Sequence, residues 1–166
     1  MIYILKALKF FLIFASFGGG ALSASEKSCP FCNPAVIAKQ FIHETEHTIT
    51  LYCLSPATKG NLLIIPKKHI ERFDELTVEE MQAVQKEINF FSQVFVDCYG
   101  TSEFVIIQKN GKNAGQSVPH LHFHMIPAPE SVDKTLDRAF QWREIISDDE
   151  MNARIQELQD CFDQNE

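Results

Sequence analysis

Three histidines stand at alternate positions, His120, His122 and His124, interleaved with Leu121, Phe123 and Met125. On an extended strand alternate residues share a face, so this spacing sets three imidazoles on one side and turns three apolar side chains into a core. Grouped imidazoles repel once protonated, so the row suits a bound anion or a metal. Two chemistries fit it. Two of the ring nitrogens can share one metal ion, as in three-His catalytic zinc sites. Alternatively, one ring attacks phosphorus while its neighbours bind phosphate oxygens and orient it. The loop just upstream, Lys109 to Ser117, favours the second. Gly111, Gly115, Gln116 and Ser117 supply backbone, amide and hydroxyl donors for phosphate oxygens. No carboxylate lies between Lys109 and Pro129, where a pure metal site would favour one.

The other reactive side chains are less specific. Cys29 and Cys32 form C-P-F-C, which reads equally as a redox pair or as half of a metal site. Five cysteines make an odd count, poor material for a disulfide framework, and Cys53, Cys98 and Cys161 read as buried thiols among apolar neighbours. His69, after Lys67 and Lys68, reads on its own as a surface histidine. His43 and His47 flank a turn and read as solvated. Trp142 and Arg143 read as a packing anchor in the tail.

The elements that must position this chemistry follow from the surrounding pattern. Val36–Ile42 and His47–Cys53 read as strands around a turn at Glu44-Thr45-Glu46. Ser55–Gly60 is a loop. Leu62-Leu63-Ile64-Ile65 is a continuous apolar run, as expected of a central strand covered on both faces and ended by Pro66. Thr77 and Glu80 form a capping box, Met81, Val84, Ile88, Phe91 and Phe95 follow helical spacing, and Gly100 marks the helix end. Glu103–Gln108 and Val118–Ile126 read as strands, the latter stopped by Pro127 and Pro129. Ser147–Phe162 reads as a second helix with Met151, Ile155, Leu158 and Phe162 on one face. With no repeat and no linker, the chain is one α+β domain, a largely antiparallel sheet with a helix packed on it.

Composition agrees with one folded domain: 166 residues, 45% of them hydrophobic, exclude a disordered tail. A net charge of −7 argues against a non-specific nucleic-acid binder. Residues 1–24 hold a basic start (Lys6, Lys9), an apolar run from Phe10 to Phe17, three glycines and Ala-Leu-Ser-Ala. These describe a secretory signal, with residues 25–166 as the domain. On that reading the protein is exported, periplasmic or secreted; were the segment not a cleaved signal, the protein would be cytoplasmic or membrane-anchored.

The segment Gly-Gln-Ser-Val-Pro-His-Leu-His-Phe-His-Met-Ile resembles the signature of the histidine triad family, His-φ-His-φ-His-φ-φ with φ apolar. Ile64-Ile65-Pro66-Lys67-Lys68-His69-Ile70 is similar to that family's I-P-K-x-H-I segment, and Cys29-Pro-Phe-Cys32 to the C-x-F-C of its zinc-containing bacterial, Hint-like members. The likeness runs over residues 28–127, leaving 128–166 as a tail. It implies an α+β fold with a five-stranded antiparallel sheet packed by a long helix and a C-terminal helix. It also implies a homodimer and a nucleotide hydrolase or transferase. The substrate would be a purine nucleotide or nucleotide conjugate, either a nucleoside phosphoramidate or a dinucleoside polyphosphate, cleaved at the α-phosphate through a nucleotidyl-histidine. Carried over by position, His122 is the nucleophile, His124 and Ser117 bind phosphate oxygens, and Gln116 helps position the phosphate. The resemblance further implies a structural Zn²⁺ on Cys29, Cys32, His69 and His120. Two rival expectations remain: a nucleotide-binding module with vestigial catalysis, and a metal-dependent hydrolase with the histidine row as ligands. Cys53 stands where Hint-like members carry a ribose-binding acid. Asn61 replaces a histidine before the central strand, and Lys109 an asparagine at the head of the glycine loop.

Overall fold

Asn33 caps the first helix, its Oδ1 accepting from the Ala35 amide at 2.9 Å, and Pro34 fills the first helical position, where its missing N–H costs nothing. Helix α1 therefore runs Pro34–Gln40, and strand β1 (Phe41–Glu44) begins only after it. The strand expected over 36–42 is corrected here, because the cap and proline override the β-branched Val36 and Ile37. The computed structural model describes residues 28–129, 131–140 and 144–163; the leader expected over 1–24, Trp142 and Arg143 lie outside them.

Strands β2 (Thr48–Tyr52), β3 (Leu62–Pro66), β4 (Phe104–Gln108) and β5 (Phe123–Pro127) complete a five-stranded antiparallel sheet in the order β1-β2-β3-β5-β4. The apolar run 62–65 is thus the middle strand, as its pattern predicts. Alternation sorts the sheet into two faces. Tyr52, Leu62, Ile64, Phe123 and Met125 pack with Leu121 under helix α2 (Val78–Tyr99). Ile49, Leu51, Cys53, Leu63 and Ile65 form a second apolar bed on the other face, under Phe31, Ile37 and Phe41.

Helix α2 forms as its sequence dictates. Thr77 accepts from the Glu80 amide while Glu80 accepts from the Thr77 amide, and Gly100 ends the helix at φ 66°. Val84, Phe91 and Phe95 of its stripe are fully buried, whereas Met81, expected in the same stripe, is exposed in the helix's first turn. One buried acid faces the sheet from this helix. Glu87 accepts from Thr50 Oγ1 at 2.7 Å and lies 3.1 Å from His43 Nδ1. His43 also stacks on Phe90, so it is half-covered and paired, not merely solvated as its turn position suggests. His47 is exposed, as expected.

Two helices follow the sheet. Helix α3 (Val132–Phe140) is an element the sequence reading does not anticipate, although Val132, Leu136, Ala139 and Phe140 follow helical spacing. Helix α4 (Asp148–Asp163) lays Met151 and Leu158 into the main core and contacts α1, α2 and β1. Among the described residues no helix is long and apolar enough to cross a membrane.

Cys98, at the end of α2, and Cys161, in α4, form a disulfide across 63 residues, which corrects their reading as buried thiols. Chain-entropy arguments give a loop of that length about 4 kcal/mol of stabilisation. The double variant Cys98→Ala/Cys161→Ala should therefore melt markedly lower in a thermal scan, with the Cys29 and Cys32 thiols untouched. A melting temperature within about 2 °C of wild type would show that the cross-link restrains nothing in the unfolded chain.

Candidate active site and metal centre

The histidine row sits on the sheet face opposite α2, at the entry to β5. The strand starts at Phe123, five residues later than the pattern predicts. Pro119 lacks a ladder donor, the His120 amide turns back to the Val118 carbonyl at 2.8 Å, and the Leu121 amide reaches Ile70 O at 2.6 Å. Alternation nevertheless survives the irregular segment. Leu121, Phe123 and Met125 enter the main core, while His122 and His124 face away from it with rings 5.4 Å apart. In register, His124 lies between Leu63 of β3 and Ile107 of β4.

Each ring has a distinct environment. His122 is 6% exposed, and its Nδ1 lies 2.7 Å from the His120 carbonyl oxygen. That carbonyl can only accept, so Nδ1 carries the proton and Nε2 keeps its lone pair. Burial pushes the His122 pKa below the ordinary imidazole value. The nearby Lys109 ammonium acts in the same direction, and the His120 carbonyl opposes both. The ring is therefore a neutral base at neutral pH, with its free nitrogen defined. Phe31 meets it edge-on at 5.2 Å and reaches His120 at 6.1 Å.

His120 turns the other way. Its Nε2 lies 2.9 Å from Pro66 O, which fixes the proton there and leaves Nδ1 for a Lewis acid. Nδ1 is 3.4 Å from Cys29 Sγ and 3.5 Å from Cys32 Sγ, and His69 Nδ1 is 3.3 Å from Cys32 Sγ. The four donor atoms of Cys29, Cys32, His69 and His120 all lie within 4.8 Å of one another. A tetrahedral site with metal–sulfur bonds of about 2.3 Å and metal–nitrogen bonds of about 2.0 Å has sulfur–nitrogen edges of roughly 3.5 Å, so this donor set fits a tetrahedral ion. His69 Nε2 is buried without a hydrogen-bond partner, its nearest carboxylate oxygen, on Glu71, being 3.6 Å away. His69 is thus no surface histidine. The cluster brings two imidazoles to the C-x-x-C pair in space, the donor set its metal reading needs. The histidine row itself is split, with His120 facing the thiols and His122 and His124 facing outward.

The glycine loop is built around Gln116. Its Oε1 accepts from the Gly111 amide at 2.6 Å, and its Nε2 donates to the Glu71 carbonyl at 2.9 Å. Asn110 ties the same loop to the next turn, accepting from the Phe73 amide at 2.9 Å. Gln116 thus spends both ends of its amide on backbone and shapes the loop. Ser117 is exposed at the loop's end. Asn61 immediately precedes β3 and is fully buried, its Oδ1 accepting from the Ala57 amide and its Nδ2 donating to the Leu62 carbonyl, so it staples the 55–61 loop. Cys53 belongs to the apolar bed on the row's own face of the sheet. Phe31 escaped the sequence reading. Its place between Cys29 and Cys32 was the signal, since whatever draws those thiols to His120 carries the ring against His122.

The HIT domain family model matches residues 35–131. An HIT-like protein of Methanocaldococcus jannaschii is 38% identical over 109 residues, 61% of this chain and 80% of the relative. A bis(5'-adenosyl)-triphosphatase of Dictyostelium discoideum is 31% identical over 73% of this chain and 84% of its own length. An adenosine 5'-monophosphoramidase of Schizosaccharomyces pombe is 31% identical over 61% of this chain and 75% of its own length. Among solved structures, a zinc-bound histidine triad family protein from Mycobacterium smegmatis shares the fold, with a TM-score of 0.59 at 22% identity over 85% of this chain and 99% of that one.

Proposed function

Because the chain belongs to the HIT domain family, we propose that it hydrolyses nucleotide conjugates at the α-phosphate with His122 as nucleophile. The single observation that carries this reading is the His122 ring: neutral, its Nδ1 proton held by the His120 carbonyl, its Nε2 lone pair left for phosphorus. Relatives in the same family act on dinucleoside polyphosphates and phosphoramidates by name, and both are cleaved by displacement at phosphorus.

The chain's own residues divide the work. Nε2 of His122 forms a bond to the α-phosphorus as the bond to the leaving group breaks. His124 and Ser117 donate to the phosphoryl oxygens, where charge concentrates in the transition state. Gln116 holds the loop that presents those donors. Water then displaces the imidazole and releases the nucleoside monophosphate. The apolar bed of Ile49, Leu51, Cys53, Leu63 and Ile65 offers the nucleoside a face without the usual acid for its ribose hydroxyls. Zn²⁺ is the ion that two thiolates and two neutral imidazoles suit best, bound by Cys29, Cys32, His69 and His120 as a closed structural site. When bound it supplies rigidity at His120, whose carbonyl orients the nucleophile. The leader at 1–24 and the Cys98–Cys161 disulfide both suit an exported protein. Pairing as a homodimer follows the Hint-like pattern, and equilibrium sedimentation tests it.

The test is a panel of nucleoside phosphoramidates and dinucleoside polyphosphates, with products identified by chromatography. Release of a nucleoside monophosphate is expected, and no cleavage of any member would overturn the reading. The acid limb tests the nucleophile further. Protonated imidazole cannot attack, so activity falls as pH drops through the His122 pKa. Since that value is lowered by burial, kcat/KM should be flat at neutral pH and fall with an apparent pKa below about 6.5. A midpoint above that value would contradict the burial argument.

A further inference from the structure

Lys109 is the first residue after β4, and the sheet register places it beside the nucleophile. Ile107 pairs with His124 and Gln108 with Phe123, so the next position along β4 faces His122. Alternation sets Lys109 on the same face as Ile107, the face of the histidine row. Its side chain then follows the glycine loop. A Cβ added at Gly115 would lie 3.5 Å from Lys109 Cδ and 3.7 Å from its Nζ, and Gly115 takes φ +86°, which excludes a larger residue there. Lys109 heads a loop, residues 109–117, that carries no carboxylate of its own.

Resting on the hydrolase reading above, we infer that Lys109 grips the phosphates of the leaving group and so selects dinucleoside polyphosphates over phosphoramidates. In the first class, the bond from the α-phosphorus to the bridging oxygen breaks as the bond to His122 Nε2 forms. The electron pair departs on that oxygen, leaving a nucleoside polyphosphate with several negative charges. Water then takes the place of Nε2 at phosphorus and gives up one proton, freeing the nucleoside monophosphate. In the second class the leaving group is an amine that takes up a proton and departs without anionic phosphates. A fixed cation beside the reaction centre favours the first path, because the charge it meets grows as the bridge breaks.

The experiment compares kcat/KM for diadenosine tetraphosphate and adenosine 5'-phosphoramidate in wild type, Lys109→Met and Lys109→Arg. The ratio of polyphosphate to phosphoramidate activity should fall about tenfold or more in Lys109→Met, in the range of a lost charged contact. Lys109→Arg should restore most of it, and added salt should lower the ratio in wild type but hardly in Lys109→Met. A merely structural lysine would depress both substrates alike, so an unchanged ratio overturns the assignment while leaving the hydrolase reading standing. A wild-type protein that cleaves neither compound overturns both.

Discussion

Turnover should be lost in His122→Asn, by about 10⁴-fold or more in kcat, while the protein stays folded. The size follows from the role: removing a nucleophile closes the covalent route and leaves only binding and the surrounding donors to assist water. The survival of the fold follows from local contacts. His122 is held by one hydrogen bond, Nδ1 to the His120 carbonyl at 2.7 Å, and by edge contact with Phe31. The asparagine amide can keep the donor, so the stability cost should stay near 1 kcal/mol. Circular dichroism, thermal melting and steady-state kinetics on one preparation check both halves. Retained turnover would remove His122 from the chemistry.

The second large effect is expected from Cys29→Ala. Cys29 is 2% exposed and faces His120 Nδ1 at 3.4 Å, so its loss opens a closed donor set. A metal bound only by the folded state stabilises it by about 4 kcal/mol when the free ion stands 1,000-fold above its dissociation constant. For a domain of this size that is on the order of 10 °C in melting temperature. Activity should fall too, because His120 both faces the thiols and presents the carbonyl that holds the nucleophile. Chelation should reproduce these losses in wild type and add nothing in Cys29→Ala. Wild-type melting of the variant, with indifference of the native protein to chelator, would mean that the cluster holds no ion.

How far the sequence carried depended on whether the deciding interaction was local. Helix α2 was legible because its cap, its buried stripe and its terminal glycine act within a few residues of one another. The central position of β3 was legible because a strand covered on both faces must be apolar throughout. Helix α1 was misread because Val36 and Ile37 favour a strand, while one hydrogen bond from Asn33 and a proline decided for a helix. The start of β5 was misread because alternation continues past the point where Pro119 breaks the ladder. The Cys98–Cys161 bond joins two helices 63 residues apart, and no spacing rule encodes such a pairing. At the site, the three rings were visible from alternation alone, whereas the division between them was not. That division was an expectation of the family resemblance, and what only the folded chain shows is Gln116 occupied with backbone at both ends of its amide. His69 and His120 could be joined to the C-x-x-C pair through family resemblance alone, and the folded chain brings all four donors within 4.8 Å.

The covalent intermediate is the most direct target. Wild-type protein mixed with diadenosine tetraphosphate and quenched within the first turnovers should show, by intact mass spectrometry, a species heavier by one nucleoside monophosphate less water. The adduct should be acid-labile, map to the peptide containing His122, and be missing from His122→Asn. Steady hydrolysis without any adduct, or an adduct on another residue, would contradict attack by the His122 ring.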